Sequence, residues 1–352
     1  MLTFDRKESG QRMAKLEITC ENREFREQWD QFVLNHPLGS FFHLYNWLEI
    51  VQWKTGFAFK PLIIRTDGGD VCGIMPVFIK KYAGITLCMS PPPKVSTPWM
   101  GLLPVFSSDK QYNIEKQSQK IIEAVHVFLR DQLHADFIRL ICVSGFDDIR
   151  PFKWLGYQCS PAYTYFLDIT DNAKAFEKFD GRIRTGIRKA RKNNLIYKHA
   201  DNTMAPTVID AVTERYERQG LSFALDRELL HRLLKSNAGT FIETTSVLDE
   251  EGFVTGNILI KYKKQVHHWI GGVHPYRNHQ GANELLHWSA IEKYSDQGIG
   301  YYEFMGANTK HLCDHKSKYN PKLRVFYSCE WKNNKGTLID WAQILMRKRK
   351  RG

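Results

Sequence analysis

The chain has 352 residues, of which 43% are hydrophobic, 13% aromatic and 25% charged, a balance that excludes a disordered polymer and provides for more than one apolar core. No apolar stretch approaches the roughly 18 to 20 residues needed to cross a bilayer, and residues 1–16 are polar with no apolar signal core. The seven cysteines are odd in number and form no CxxC pair, so they read as free thiols in a reducing cytoplasm. The net charge of +12 is concentrated in two places: seven basic residues without an acid over 181–198, and five more from Arg347 to Arg351. Together these equal the whole excess, which points to a polyanionic partner such as RNA, a nucleotide or lipid diphosphate, or an anionic membrane surface.

Taken in chain order, helices are expected at 24–35 and 45–53. A meander follows: an acidic glycine turn at 67–70, then strands at 71–79 and 85–88. Next come an amphipathic helix at 114–133, apolar at 121, 122, 125, 128 and 129, a strand at 136–143 and another at 163–169. The second half repeats this order. After a basic helix at 182–192 come helices at 207–219 and 227–236, a turn at 249–252, strands at 254–260 and 266–272, a helix at 282–294 and a strand at 300–305. Meander, helix, strand twice over predicts an α/β (α+β) protein of two tandem modules, each a mixed, mostly antiparallel sheet flanked by helices. The division is placed at 1–168 and 169–352, with a terminal helix over 338–346 that ends in the basic tail.

On the basic helix, Arg184, Arg188 and Arg191 fall at i, i+4 and i+7 and share a face, while Ile183, Ile187 and Ala190 take the adjacent one. Guanidinium forks match phosphate oxygens in pairs, so this row is a candidate phosphate clamp, the alternative being a solvated helix face. Cys313, Asp314 and the histidines His311 and His315 lie close in sequence, but no second ligand cluster accompanies them and no metal is expected. His268 and Glu303, on neighbouring strands, could act as acid and base or simply satisfy each other inside the sheet.

Val273, Pro275 and Arg277, between a strand and a helix start, resemble the opening of the acyl-CoA loop of GNAT acyltransferases. The phosphate-binding part of that loop is broken by Gln280, with Gly281 one place late, so acetyl-CoA binding is not expected. Several segments together resemble the FemABX family, peptidyltransferases that build peptidoglycan interpeptide bridges: 42–53, Gly73-Ile74-Met75-Pro76, Thr97-Pro98-Trp99-Met100-Gly101, 182–192, 283–288 and Glu303-Phe304-Met305-Gly306. His315-Lys316-Ser317-Lys318-Tyr319-Asn320 is similar to the family's F-K-x-x-F-G motif, with His and Tyr for the two Phe and Asn for Gly. The family's helical coiled-coil arm has no counterpart here, since no sustained heptad pattern occurs.

The resemblance implies two GNAT-like domains and a catalytic Lys316, with Arg184 and Arg188, and Arg191 beside them, on the acceptor's diphosphate. Lys54, Trp47, Trp53 and Trp99 would line the acceptor groove. It implies aminoacyl transfer from a charged tRNA to an amine of an envelope precursor, without a cofactor or metal, in the cytoplasm at the inner membrane face, which the tail could contact. Two alternatives remain open: an N-acyltransferase using acyl-CoA or acyl carrier protein in exopolysaccharide or lipid synthesis, and a non-catalytic RNA- or membrane-binding module.

Overall fold

The computed structural model describes residues 16–337 except Asn22 and Asn278, so the expected helix over 338–346 and the tail from Arg347 to Arg351 lie outside the described residues. The first half runs β1 (Glu17–Cys20), α1 (Arg26–Asn35), α2 (Tyr45–Thr55), β2 (Ala58–Arg65), β3 (Val71–Tyr82), β4 (Ile85–Ser90) and β5 (Leu103–Pro104). It continues through α3 (Gln111–Val127), β6 (Phe137–Ile141), α4 (Arg150–Trp154) and β7 (Gln158–Asp168). The second half runs α5 (Asn172–Glu177), α6 (Gly181–Lys192), β8 (Ile196–Lys198), α7 (Ala205–Arg218), α8 (Arg227–Leu234), β9 (Ile242–Asp249) and β10 (Gly252–Tyr262). It ends with β11 (Gln265–Val273), α9 (Ala282–Asp296), β12 (Tyr301–Glu303), α10 (Lys310–Lys316) and β13 (Lys322–Lys332).

Local chemistry accounts for these boundaries. Asp171, Asp180 and Asp226 cap α5, α6 and α8 by accepting backbone N–H bonds from Lys174, Arg182 and Leu229. α2 stops at Gly56, whose φ of 63° places it in the left-handed region that favours glycine. Along α6 the buried residues are Ile183, Gly186, Ile187 and Ala190, one stripe of an otherwise basic helix.

Among the described residues thirteen strands form a single sheet in the order β1-β2-β3-β4-β6-β13-β7-β12-β11-β10-β9-β8, with β5 beside β3. The repeat expected from sequence is written into its topology. β2, β3 and β4 form an antiparallel meander, and β4 then pairs in parallel with β6. β9, β10 and β11 do the same, and β11 pairs in parallel with β12. The closing strands are exchanged between halves: β7 lies against β12, whereas β13 returns to pair with both β6 and β7. The fold is therefore a mixed α/β architecture built on a large, mostly antiparallel sheet with helices on its faces.

One core joins the halves. It packs Phe41, Phe42, Trp47 and Trp99 with Ile258, Trp269, Ile270 and Phe326, while a second lies between the sheet and α6 and α9. Polar ties cross the same seam: the Trp269 indole donates to the Ser96 carbonyl at 2.7 Å, and Lys263 donates to the carbonyls of Val33 and His36 at 3.0 and 2.6 Å. Among the described residues no helix is long and apolar enough to cross a membrane.

Candidate functional site

β11 and β12 stay in register for only three pairs, ending at His267 opposite Glu303; β12 stops there while β11 runs on to Val273. A bulge at Trp269 re-aims β11 just beyond that point, because Ile258 faces Ile270 whereas Leu259 faces His268. Pairing ends there, and the end of α10 brings Lys316 to the chain just after β12. There the Lys316 ammonium donates to the carbonyls of Met305 and, at 3.0 Å, Gly306. Both of these residues have left-handed φ, 46° and 65°, and for Met305 that conformation costs about 1 kcal/mol. Burial lowers the Lys316 pKa to about 8, and the nearby Cys313 and Glu303 offset part of that shift.

His268 lies beside this ammonium. Its Nε2 contacts the Asn257 side-chain oxygen at 2.9 Å, and its ring packs on His287 at 4.7 Å. The residue is half-buried, yet its Nδ1 is enclosed without a hydrogen-bond partner of normal geometry. Burial first, then the charge of Lys316, holds its pKa down to about 3. Arg215 of α7 is a cation that sequence reasoning missed: it donates to the Gly271 carbonyl at 3.3 Å on β11 past the fork, and its charge is felt at His268. Its sequence signal was slight, a basic residue in the last turn of an amphipathic helix.

The expected His268–Glu303 pair is corrected. In-register parallel neighbours point to the same face, so Glu303 meets His267, at 2.5 Å, and accepts the Thr164 hydroxyl of β7 at 2.6 Å. His268 is one residue on and faces the other way. Glu303, His267 and Thr164 are 0, 4 and 0% exposed, a closed polar knot that ties three strands and both halves together.

The residues from His315 to Asn320 fold as one unit. Tyr319 is buried against Phe179 and Phe304, and the His315 ring contacts Tyr319 and reaches Glu284 at 3.4 Å. Asn320 takes φ 55° and ψ 41°, which explains Asn where the related motif has Gly, since Asn tolerates the left-handed region better than other side chains. Among the described residues no group of three or more His, Cys, Asp or Glu is placed to hold a metal ion.

The basic helix sits next to this unit but does not point as one row. The Asp180 N–H donates to the Lys318 carbonyl at 2.8 Å, joining the start of α6 to the turn after α10. The open depression between them is lined by Arg182 with Lys178 and Lys318, so Arg182 is the α6 arginine that reaches it. Arg191 is engaged by Glu292 of α9 at 2.8 Å. Arg184 is half-buried with an unpartnered Nε, and Arg188 is exposed.

α6 also closes the start of α9. A Cβ at Gly281, φ 87°, would come within 2.0 Å of the Gly186 carbonyl oxygen, so the α6 backbone packs directly on the glycine that begins α9. Arg277 is drawn away to Asp249 and Glu251, both at 3.0 Å, and His279 to Asp249 at 2.7 Å. Gly281→Ala is expected to lower stability by about 2–3 kcal/mol, through the clash and the forced left-handed backbone. A urea midpoint shift checks it, and a wild-type midpoint would refute the close approach.

For Trp47 and Trp99 the expected place in an acceptor groove is corrected. Trp47 and Trp99 are 0 and 2% exposed, in the core between the halves, because they pack edge-on to Trp269 and Phe326. Lys54 pairs with Asp226, the cap of α8, and Trp53 lies 4.1 Å beneath Arg232 of the same helix. These contacts fasten α2 to α8.

Residues 177–317 match the acetyltransferase (GNAT) domain family. No curated protein matches the sequence. Among solved structures, FemX superimposes with a TM-score of 0.68 at 15% identity, over 88% of this chain and 96% of that one. The C-terminal domain of a putative lysylphosphatidylglycerol synthetase from Agrobacterium fabrum gives 0.55 at 12% identity, over 92% and 98%. A tandem GNAT protein from the clavulanic acid biosynthesis pathway gives 0.53 at 11%, over 90% and 98%. Residues 177–317 thus carry a GNAT acyltransferase domain, and the whole chain shares the fold of FemX and of a tandem GNAT protein.

Proposed function

We propose that this protein is an acyltransferase that moves an aminoacyl group from a charged tRNA to an amine of a diphosphate-linked envelope precursor. It would work as two GNAT-like domains, 1–168 and 169–352, in the cytoplasm. The observation that carries this reading is the Lys316 ammonium, anchored on two main-chain carbonyls in the fork of β11 and β12. The amine attacks the ester carbonyl, forming a C–N bond and a tetrahedral oxyanion. Collapse breaks the C–O bond and releases the tRNA hydroxyl, which gains the proton the amine gives up. A fixed cation at the oxyanion lowers that barrier with no covalent enzyme intermediate. Positioning of amine and ester supplies much of the rest.

Arg215 adds a second positive charge beside the fork, and Arg184 and Arg188 are offered as contacts to the precursor or tRNA phosphates. The name of one structural relative, a lysylphosphatidylglycerol synthetase, is consistent with an aminoacylated envelope component as product. A CoA donor is disfavoured because the bulky Gln280 stands in the loop before α9, where the backbone would have to approach a pyrophosphate, and Arg277 is engaged by Asp249 and Glu251. Acetyl-CoA in large excess is therefore expected to leave the melting temperature unchanged; a dose-dependent rise would favour the CoA-dependent reading instead. The direct test is transfer of radiolabelled amino acid from charged tRNA to an amine acceptor by the purified protein, and failure across the common aminoacyl-tRNAs would overturn the proposal.

A further inference from the structure

Away from the β11–β12 fork, the two halves also enclose a cleft of about 470 Å³, within the range typical of small-molecule sites. One wall comes from α1 and the start of α2, the other from the short turn Asn237–Phe241 and the end of β10. Leu34, Leu44, Ala238 and Phe241 make it apolar, and Glu27 and Asp30 make it acidic. The one arginine present, Arg26, leans on Glu49 and on the Tyr45 ring.

Two polar groups lining this cleft bear on what it could hold. Tyr262 is 4% exposed, and its hydroxyl is enclosed with no hydrogen-bond partner, a costly condition for a buried polar atom. Asp30 is half-buried and accepts the Tyr45 N–H on Oδ1 at 2.7 Å; burial raises its pKa, and that hydrogen bond and the Arg26 charge offset part of the rise. The Asp30 charge is felt at the Tyr262 hydroxyl, yet the two do not bond to each other. A carboxylate and an orphan hydroxyl on residues that line one cleft can both accept hydrogen bonds from a single cation, and the apolar walls suit a hydrocarbon stem behind it.

We propose that this cleft binds a primary ammonium on a short aliphatic stem, anchored by Asp30 and Tyr262 and gripped between the halves. The site is separate from the transfer chemistry, and its test does not depend on that reading. The probe is n-pentylamine, with 1-pentanol as its uncharged counterpart, titrated calorimetrically into the full-length protein. Saturable binding of the amine but not the alcohol is expected. Asp30→Asn, which keeps an oxygen for the Tyr45 N–H, should weaken it at least about tenfold. Tyr262→Phe should weaken it several-fold while the unliganded protein melts no lower than wild type, since the lost hydroxyl had no partner. The proposal is overturned if the alcohol binds as well as the amine, if Asp30→Asn binds normally, if the amine shows no saturable binding, or if Tyr262→Phe melts several degrees lower.

Discussion

Replacing Lys316 by Met is expected to reduce kcat for aminoacyl transfer by about 10² to 10³-fold while acceptor affinity stays within a few fold. Methionine keeps the length and the apolar stem but removes the ammonium that α10 places beside β12, where Met305 and Gly306 hold it. The loss should therefore fall on the transition state, in which the oxyanion exists, and spare binding of the uncharged ester. Near-normal turnover by this variant would end the catalytic assignment. The pH profile supplies an independent reading. Burial puts the Lys316 pKa near 8, so the charge is complete below that pH and is lost as pH rises through it. Wild-type kcat should decline above about pH 8 relative to Lys316→Arg, whose guanidinium stays protonated. Parallel profiles for the two proteins would remove Lys316 from the titration.

Glu303→Ala is expected to cost about 3–5 kcal/mol of folding stability, the largest effect at any single position considered. The carboxylate is fully buried and is the common partner of His267 and Thr164, so its removal strands two polar groups where water cannot reach them. The knot joins β7 to β12 and β11, and therefore a strand of the first half to the second. Urea unfolding should show the drop, with a smaller one for Glu303→Gln, which can still accept the Thr164 hydroxyl. A loss below about 1 kcal/mol for the alanine variant would mean that His267 and Thr164 find other partners.

The elements themselves were legible in the chain. The short, nearly continuous apolar runs at 71–79 and 254–260, the 3.6-residue stripe of α3 and the acidic glycine turns reflect local physics, and they sufficed for the repeated meander, helix and strand. The motif around Lys316 was legible for the same reason. Its side chain is held by carbonyls ten and eleven residues away, and Asn320 marks a left-handed turn through its own backbone preference.

What the sequence by itself determined, then, was most strands and helices of the repeat, though not β13 or α10, where the two halves repeat, and where the basic residues gather. Tertiary structure alone decided who meets whom. That β13 inserts between β6 and β7 cannot be read from alternation, because a strand's pattern fixes its buried face and not its neighbour. The same blindness moved Glu303 from His268 to His267, since register decides which adjacent side chain shares its face. Trp47 and Trp99 went into the core because an aromatic's pattern is identical in a groove and in a packed seam until the opposite wall is known. Arg191 was claimed by Glu292 and Arg215 brought to the fork by contacts spanning 101 and 56 residues, distances over which only the folded chain brings charges together.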